Sequence, residues 1–282
     1  MSSTIPYKQQ LNPSQLEAVF YTDSPLLVLA GAGSGKTRVI TYKIAYLINE
    51  CNVDPGHILA VTFTNKASNE MKERLESLLG KNVDIWVKTF HSAAARLLRI
   101  MGNHFQINSN FSIIDQQDQK SLVRKIIKDL KIDPETYKPE KYVYLIERAK
   151  DRLLNADEAF SEDFSTDPVF YDIYRIYEDK LEKENLLDFG DLIFKLTKGL
   201  SQNDRALSSL KDRFRFILVD EFCRLFQVFI GPDRNGVFVH HLSNFYLMPP
   251  RQKKHLSDIR LRDKPNIFVS LHNRQMADSV FM

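Results

Sequence analysis

Short apolar runs alternate with amphipathic stretches over the first third of the chain. The run LLVLA (26–30) precedes a glycine-rich turn, after which Val39, Ile40, Ile44 and Leu47 recur at helical spacing. Two further pairs of this form follow, with strands predicted in ILAVTF and WVKTF and a helix after each. Strands that alternate with helices indicate βαβ units, so the pattern predicts an α/β fold with a parallel sheet.

Strand patterns fade between about residues 111 and 186, where two segments predict amphipathic helices. In DQQDQKSLVRKIIKDL, Leu122, Ile126 and Leu130 lie on one face, and Asp115 is a suitable N-cap. In DPVFYDIYRIYEDKLEKENL, one face predicts helix core rather than a stacking surface for nucleic acid: Val169, Phe170, Ile173, Tyr174, Tyr177 and Leu181. The segment therefore predicts an α-helical insertion, after which the α/β pattern returns in LDFGDLIFKL and in the strand FRFILV.

The turn after the first strand reads AGAGSGKT and carries the strongest chemical signal in the chain. Its residues are Ala30, Gly31, Ala32, Gly33, Ser34, Gly35, Lys36 and Thr37. The turn is a close variant of the phosphate-binding P-loop, with Ala30 at the position of the first glycine. Its glycines let successive N–H groups face phosphate oxygens, Lys36 suits the β- and γ-phosphates, and the Thr37 hydroxyl suits Mg²⁺. We predict binding of ATP with Mg²⁺, since NKAS lacks the Asp of a guanine-reading motif.

A second chemical signal lies at the end of the strand in FRFILVDE, where Asp220 and Glu221 follow the apolar run. An acidic residue at the end of a later strand is the partner that a P-loop requires. Asp220 is predicted to hold Mg²⁺ through water, and Glu221 to orient or deprotonate the attacking water. The predicted catalytic set is therefore Lys36, Asp220 and Glu221.

Six further signals are the segments LNPSQLEAV, AGAGSGKTRV, ILAVTFTNKASNEMKERL, VKTFHSAAARLLR, LLDFGDL and ILVDEF, in this order. Their sequences and order resemble UvrD/PcrA/Rep-type superfamily 1 DNA helicases, and the resemblance covers about residues 8–222. It implies a RecA-like P-loop NTPase domain, 1A, over 1–105 and 187–222, with a helical insertion, 1B, over 106–186. It also implies ATP-driven 3′-to-5′ movement on single-stranded DNA.

The resemblance assigns further residues to nucleotide and to DNA. Gln15 resembles the glutamine that reads the adenine edge, and Arg38 resembles an arginine that packs near the adenine. Two segments match the motifs that touch single-stranded DNA: Phe63, Thr64 and Asn65, and Thr89, Phe90 and His91. An aromatic ring can stack on any base, and small hydroxyl or amide groups can hold phosphates without reading sequence.

Residues 223–282 differ in composition from the residues before them. They carry nine Lys or Arg and four Asp, which gives a net charge of +5. Residues 1–222 carry 30 Lys or Arg and 32 Asp or Glu, which gives a net charge of −2. In the family the acidic strand continues as DEFQDT, but here Cys223 and Arg224 follow Phe222, and no later stretch resembles GD-x-x-QSIY. Three interpretations stay open: a shifted reading frame, a divergent C-terminal element, and a basic tail for nucleic acid.

The function implied by the resemblance is that of an ATP-dependent DNA helicase. The resemblance implies two RecA-like domains with ATP bound between them. Because no second such domain is recognisable, we expect the 282 residues not to unwind DNA alone. The alternatives are an ATP- and DNA-binding module without useful turnover, and a non-enzymatic interaction protein. No apolar run reaches the roughly 18 to 20 residues that span a membrane, and MSSTIPYKQQLNPSQ has no secretory h-region, so we expect a cytoplasmic protein without membrane partners. The oligomeric state is left open.

Overall fold

The computed structural model describes residues 5–22, 26–30, 33–80, 83–133, 135–220 and 266–272. These residues belong to two compact units. The first lies within 1–93, 207–227 and 248–282, and the second, in its described part, comprises 94–206.

Seven strands occur in the described part of the chain: β1 (Leu26–Ala30), β2 (Ile58–Thr62), β3 (Trp86–Thr89), β4 (Ser112–Ile113), β5 (Leu186–Leu187), β6 (Phe216–Val219) and β7 (Asn266–His272). Five of them form a sheet in the first unit, in the order β1-β7-β6-β2-β3, and every pair is parallel. Strands β4 and β5 form a separate parallel pair in the second unit. The predicted α/β fold with a parallel sheet is confirmed.

The α-helices of the described residues are α1 (Tyr7–Gln10), α2 (Pro13–Phe20), α3 (Lys36–Asn49), α4 (Asn65–Leu79), α5 (Phe90–Met101), α6 (Gln116–Asp129), α7 (Pro139–Asp151), α8 (Ala156–Ser161), α9 (Phe170–Lys183), α10 (Phe189–Gln202) and α11 (Asp204–Arg213). Two short 3₁₀ helices, Pro55–His57 and Gly102–Phe105, complete the described elements. Each strand that the first hundred residues predict is therefore followed by a helix.

The core of the first unit lies between the sheet and helices α2, α3 and α4. All four apolar residues that predicted the α3 face, Val39, Ile40, Ile44 and Leu47, are buried in one cluster with Ala60 of β2. Burial of aliphatic side chains of this size stabilises a fold by about 1.5 to 3 kcal/mol each. The predicted face of α3 is thus what fixes this helix, and the loop before it, against the sheet.

Helices of the second unit follow the predicted pattern. The Asp115 carboxylate accepts the N–H groups of Gln117 at 2.8 Å and Asp118 at 2.9 Å, so it caps α6 as predicted. On α9 the buried residues are Phe170, Ile173, Tyr174, Tyr177 and Leu181. The prediction that these aromatic residues form helix core is confirmed.

A buried charged network in the second unit was not predicted. The Lys150 ammonium donates to Asp188 at 2.6 Å and to Asp191 at 2.8 Å, and the Tyr177 hydroxyl and the Gln119 amide also donate to Asp188. Burial alone would lower the pKa of Lys150, but the charges of Asp191 and Asp188 outweigh it and raise that pKa. Its members come from α6, α7, α9 and the start of α10, so no local sequence pattern reveals the network.

Strand β7 was also not predicted, although the run NIFV after Pro265 is an apolar signal of the kind that strands carry. Two other apolar runs after residue 222, FQVFIG and GVFVHHLSNFYL, could be strands by their sequence, but both lie outside the described residues. The interpretations of residues 223–282 and the domain boundaries stay predictions. Among the helices that the structure describes, none is long and apolar enough to cross a membrane.

Candidate nucleotide-binding site

The predicted site residues lie at the carboxyl edge of the parallel sheet. Because the strands run in parallel, Ala30, Thr62, Thr89 and Val219 all end their strands at this edge. In open α/β sheets, ligands bind outside the carboxyl ends of the strands. The sheet therefore brings to one edge the segments that the sequence predicted to bind nucleotide and DNA.

The loop between β1 and α3 depends on two glycines in the left-handed region. Gly33 has φ 75° and Gly35 has φ 85°, values that cost an L-residue about 1 to 2 kcal/mol. Gly35 is also crowded, because a Cβ added there would lie 3.0 Å from the Gln15 amide nitrogen, whereas none of the described atoms lies within 4 Å of one at Gly33. Gly31 and Ala32 lie outside the described residues.

Lys36 is the first residue of α3 and is buried over the loop. Its ammonium donates to the Ala30 carbonyl at 3.1 Å, which joins the two ends of the loop. An ammonium carries three donors, so one such group can hold more than one oxygen.

Thr37 and Asp220 connect the loop to the end of β6. The Thr37 hydroxyl donates to an Asp220 carboxylate oxygen at 2.7 Å, and the Asp220 N–H donates to the Val61 carbonyl at 2.9 Å. Asp220 is a buried carboxylate, 3% exposed. A hydroxyl and a carboxylate oxygen are ligands that Mg²⁺ prefers, so the donor set fits this ion. Glu221 lies outside the described residues.

Gln15 uses both ends of its side-chain amide, the oxygen to cap α2 and the nitrogen to contact the loop. Its oxygen accepts the Asn12 N–H at 3.0 Å, while Asn12 accepts the Gln15 N–H at 2.9 Å, so the pair forms a capping box at the start of α2. Its nitrogen donates to the Ser34 carbonyl at 2.9 Å. An amide has two donors and two acceptor positions, so these bonds leave one of each for an adenine edge. The adenine role stays a prediction.

Arg38 follows Thr37 on α3 and faces the N-terminal helices. Its guanidinium donates to the Gln10 amide oxygen at 2.7 Å and lies 5.6 Å from the centre of the Tyr42 ring. Gln10 is a contact that sequence reasoning missed, since α1 is only one turn long and has no periodic signal. The predicted position of Arg38 near an adenine is not tested by these contacts.

The first predicted DNA segment connects β2 to α4. The Phe63 side chain is 41% exposed, and Asn65 is exposed at the start of α4. The Thr64 hydroxyl caps α4 by accepting the Ala67 N–H at 3.1 Å. This bond uses an oxygen lone pair and leaves the hydroxyl hydrogen as a donor.

The second predicted DNA segment follows β3, beside the first. Thr62 and Thr89 are paired residues of β2 and β3, so both segments leave the sheet at neighbouring positions. Thr89 is buried, and its hydroxyl bonds to that of Ser92 at 2.8 Å, while Phe90 is half-buried. His91 is exposed, yet partial desolvation by the surrounding protein lowers the pKa of its imidazole below the ordinary value.

Comparison with known proteins identifies the family. The family model described as the UvrD/REP helicase N-terminal domain matches residues 11–225. The chain belongs to the UvrD/REP helicase family. The resemblance that the six segments predicted is therefore confirmed.

Three relatives with helicase names are similar to this member of the UvrD/REP family. The ATP-dependent DNA helicase PcrA of Bacillus subtilis (strain 168) is 47% identical over 215 residues, which are 75% of this chain and 29% of that protein. The probable DNA helicase II homolog of Mycoplasma capricolum is 43% identical over 219 residues, 75% and 30% of the two chains. PcrA of Leuconostoc citreum is 42% identical over 216 residues, 75% and 29% of the two chains. The chain thus spans less than a third of the length of these relatives.

Proposed function

We propose that this chain binds ATP with Mg²⁺ at the loop between β1 and α3 and hydrolyses it in an ATP-dependent DNA helicase reaction. The single observation that carries the proposal is the 2.7 Å hydrogen bond between Thr37 and Asp220. It brings the hydroxyl and the carboxylate that a Mg²⁺–nucleotide complex requires to the same end of the sheet. Bound Mg²⁺ would supply charge neutralisation for the β- and γ-phosphates.

The chain's own groups have distinct roles in this proposal. Lys36 donates to the β- and γ-phosphates, and the N–H groups of the glycine loop and the start of α3 hold phosphate oxygens. Thr37 and Asp220 hold the metal, and Glu221 activates the attacking water. Gln15 and Arg38 bind the adenine. The bond from Gln15 to the Ser34 carbonyl supports the Gln15 assignment, because it places that side chain against the loop. The Arg38 assignment rests on the family resemblance.

We also propose that single-stranded DNA crosses the ends of β2 and β3. Phe63 is an exposed ring suited to base stacking, and Thr64 and Asn65 lie at the start of a 15-residue helix, where the helix dipole favours phosphate. Thr89, Phe90 and His91 line the neighbouring position. The shared register of the two strands supports a single DNA path over both segments.

We propose 3′-to-5′ movement along the DNA, as the family resemblance implies, and action in the cytoplasm. The prediction that the 282 residues on their own bind ATP and single-stranded DNA but do not unwind a duplex is part of this proposal. Labelled single strands with a fluorophore at either the 3′ or the 5′ end test direction, since a translocating chain gives a length-dependent signal only at the end toward which it moves.

ATP hydrolysis by the purified chain, measured with and without single-stranded poly(dT), tests the central proposal. We expect Lys36→Ala to weaken binding of a fluorescent ATP analogue by about 10- to 100-fold, because a charge-assisted hydrogen bond is worth about 1.5 to 3 kcal/mol. Lys72→Ala is the matched control, since Lys72 is an exposed lysine on α4.

Three outcomes of that experiment separate the candidate functions. Hydrolysis that depends on Lys36 and is stimulated by DNA supports the proposal. Lys36-dependent binding without hydrolysis supports the binding-module alternative. Equal nucleotide binding by the wild type and Lys36→Ala overturns the assignment of the loop. A separate strand-separation assay tests the unwinding prediction, which unwinding of a duplex by the 282 residues overturns.

A further inference from the structure

The hydroxyl of Thr62 is a buried polar group without a hydrogen-bond partner among the described residues. Thr62 is 0% exposed, and its Oγ1 contacts neither solvent nor any acceptor or donor within hydrogen-bond distance there. A buried hydroxyl without a partner costs about 1 to 3 kcal/mol of stability. A valine of nearly the same shape would avoid this cost, so the position raises the question of what the hydroxyl binds.

Thr62 lies beside Asp220, on the same face of the sheet. Side chains alternate along a strand, so Thr62 shares its face with Ala60, which packs in the core beneath α3 and α4. Ala60 is paired with Leu218 of β6, and the Asp220 N–H bonds to the Val61 carbonyl, which extends the ladder by one residue. Thr62 and Asp220 are therefore neighbours across strands about 4.8 Å apart.

Other buried hydroxyls near this face have partners inside the protein. Thr41 donates to the Thr37 carbonyl at 2.8 Å, and Ser68 donates to the Val87 carbonyl at 3.1 Å. The hydroxyl of Tyr7 also lacks a partner among the described residues, but it lies within a group of aromatic rings on α1, α2 and α3. Of these two hydroxyls without a described partner, that of Thr62 lies at the edge of the sheet where the nucleotide is proposed to bind.

We propose that Thr62 is a positioning residue for the metal–nucleotide complex. Its hydroxyl and the Asp220 carboxylate both hydrogen-bond to waters of the bound Mg²⁺. The inference rests on the proposed function of the loop. Mg²⁺ keeps several of its waters when protein carboxylates bind it, and those waters need partners. Groups that hydrogen-bond to the metal's ligands tune metal affinity by about 10- to 100-fold in other sites.

The proposal predicts effects of opposite sign on stability and on binding. Thr62→Val removes the hydroxyl and keeps the shape, so the chain without nucleotide unfolds at the same or a higher denaturant concentration than the wild type. In the same variant, the Mg²⁺ concentration that half-saturates binding of a fluorescent ATP analogue rises by about tenfold. Nucleotide binding in EDTA is unchanged, and Thr62→Ser, which keeps a hydroxyl, restores the wild-type Mg²⁺ dependence.

Ser68→Ala is the matched control, because it removes a buried hydroxyl that does have a partner on the same face. It lowers stability and leaves the Mg²⁺ dependence unchanged. An unchanged Mg²⁺ dependence in Thr62→Val overturns the Thr62 assignment alone, as long as the wild type binds the analogue with Mg²⁺. A loss of stability in Thr62→Val also overturns it, since the hydroxyl then has a structural partner. If the wild type does not bind the analogue, the proposed function fails, and this inference fails with it.

Discussion

The Thr37 hydroxyl donates a 2.7 Å hydrogen bond to the Asp220 carboxylate, although the two residues are 183 positions apart in the chain. The bond is possible because α3 begins at the carboxyl end of β1, and β6 ends at the same edge of the sheet. The start of α3 and the end of β6 are therefore held together by the same two groups that are proposed to hold Mg²⁺. Pre-organised ligands of this kind lower the cost of ordering the site when the metal binds.

The carboxylate charge is the feature of this pair that the metal requires. We predict that Asp220→Asn folds normally, because the amide oxygen can still accept the Thr37 hydrogen bond, but binds Mg²⁺–ATP at least about tenfold more weakly. Titration of a fluorescent ATP analogue at several Mg²⁺ concentrations measures the loss. Thr37→Ser, which keeps the hydroxyl, is the control and should behave like the wild type. Wild-type affinity in Asp220→Asn would show that this carboxylate does not hold the metal.

The two described glycines of the loop differ in what surrounds them, and the difference predicts different costs. Gly33→Ala meets only the left-handed backbone, which costs about 1 to 2 kcal/mol. Gly35→Ala adds a Cβ that lies 3.0 Å from the Gln15 amide nitrogen, so the amide must also shift and weaken its bond to Ser34. Urea unfolding should therefore give a larger loss for Gly35→Ala than for Gly33→Ala.

The same pair of variants has an internal control. Gln15→Ala removes the crowded amide. In this background Gly35→Ala should therefore cost about as much stability as Gly33→Ala costs in the wild type. Equal losses of stability in the two glycine variants would mean that Gln15 does not constrain Gly35. So would a Gln15→Ala/Gly35→Ala double variant whose loss equals the sum of the losses of the two single variants.

Much of the sheet could be predicted because its strands carry local signals. The segments LLVLA, ILAVTF and FRFILV are apolar runs that end in glycine or polar residues, and each occurs as a strand within one or two residues of the predicted bounds. Parallel strands end at one edge, so the predicted site segments had to lie together there. What local pattern cannot reveal is which side chains meet, as the bond from Gln15 to Ser34 illustrates.

Features that depend on distant residues were missed for the same reason. The partners of Lys150 are Asp188 and Asp191, which lie 38 and 41 positions further along the chain. Both belong to the segment LLDFGDL, whose sequence does not indicate that Lys150 pairs with them. Strand β7 is bounded by segments whose composition gave no clear prediction, yet it pairs with both β1 and β6. Burial and pairing of this kind come from the assembled fold.

Loss of the buried cation Lys150 should be strongly destabilising. Lys150→Met leaves two buried carboxylates without their cation, and removal of one partner from a buried ion pair costs about 3 to 5 kcal/mol. Lys180→Met is the matched control, because Lys180 pairs with the exposed Asp129 at 3.2 Å, and exposed pairs contribute about 0 to 1 kcal/mol. Urea unfolding at pH 7 measures both losses.

The acid dependence of the Lys150 variant tests the same electrostatics. Burial by itself raises the pKa of Asp188, but Lys150 and its hydrogen bonds lower it below the ordinary value. A carboxylate with a lowered folded-state pKa adds stability above its unfolded pKa, and this stability is lost as the pH falls through the folded pKa. The wild type should therefore lose more stability than Lys150→Met on acidification below about pH 4. A gap between the two that stays constant with pH would contradict this explanation.

Phe63 provides a test of the proposed DNA path in which an effect on DNA binding can be separated from an effect on stability. We predict that Phe63→Ala weakens binding of fluorescent oligo(dT) by about 1 to 3 kcal/mol, because base–aromatic stacking contributes that much per base, and that Phe63→Trp retains binding. Phe20→Ala is the matched control, because Phe20 is 38% exposed and Phe63 is 41% exposed. Phe20 packs on Tyr46 in the last turn of α3, whereas Phe63 follows the carboxyl end of β2. Phe20→Ala should lower stability and leave oligo(dT) binding unchanged. Equal weakening by the two variants would indicate a general effect on the fold, and no weakening by Phe63→Ala would exclude Phe63 from the DNA path.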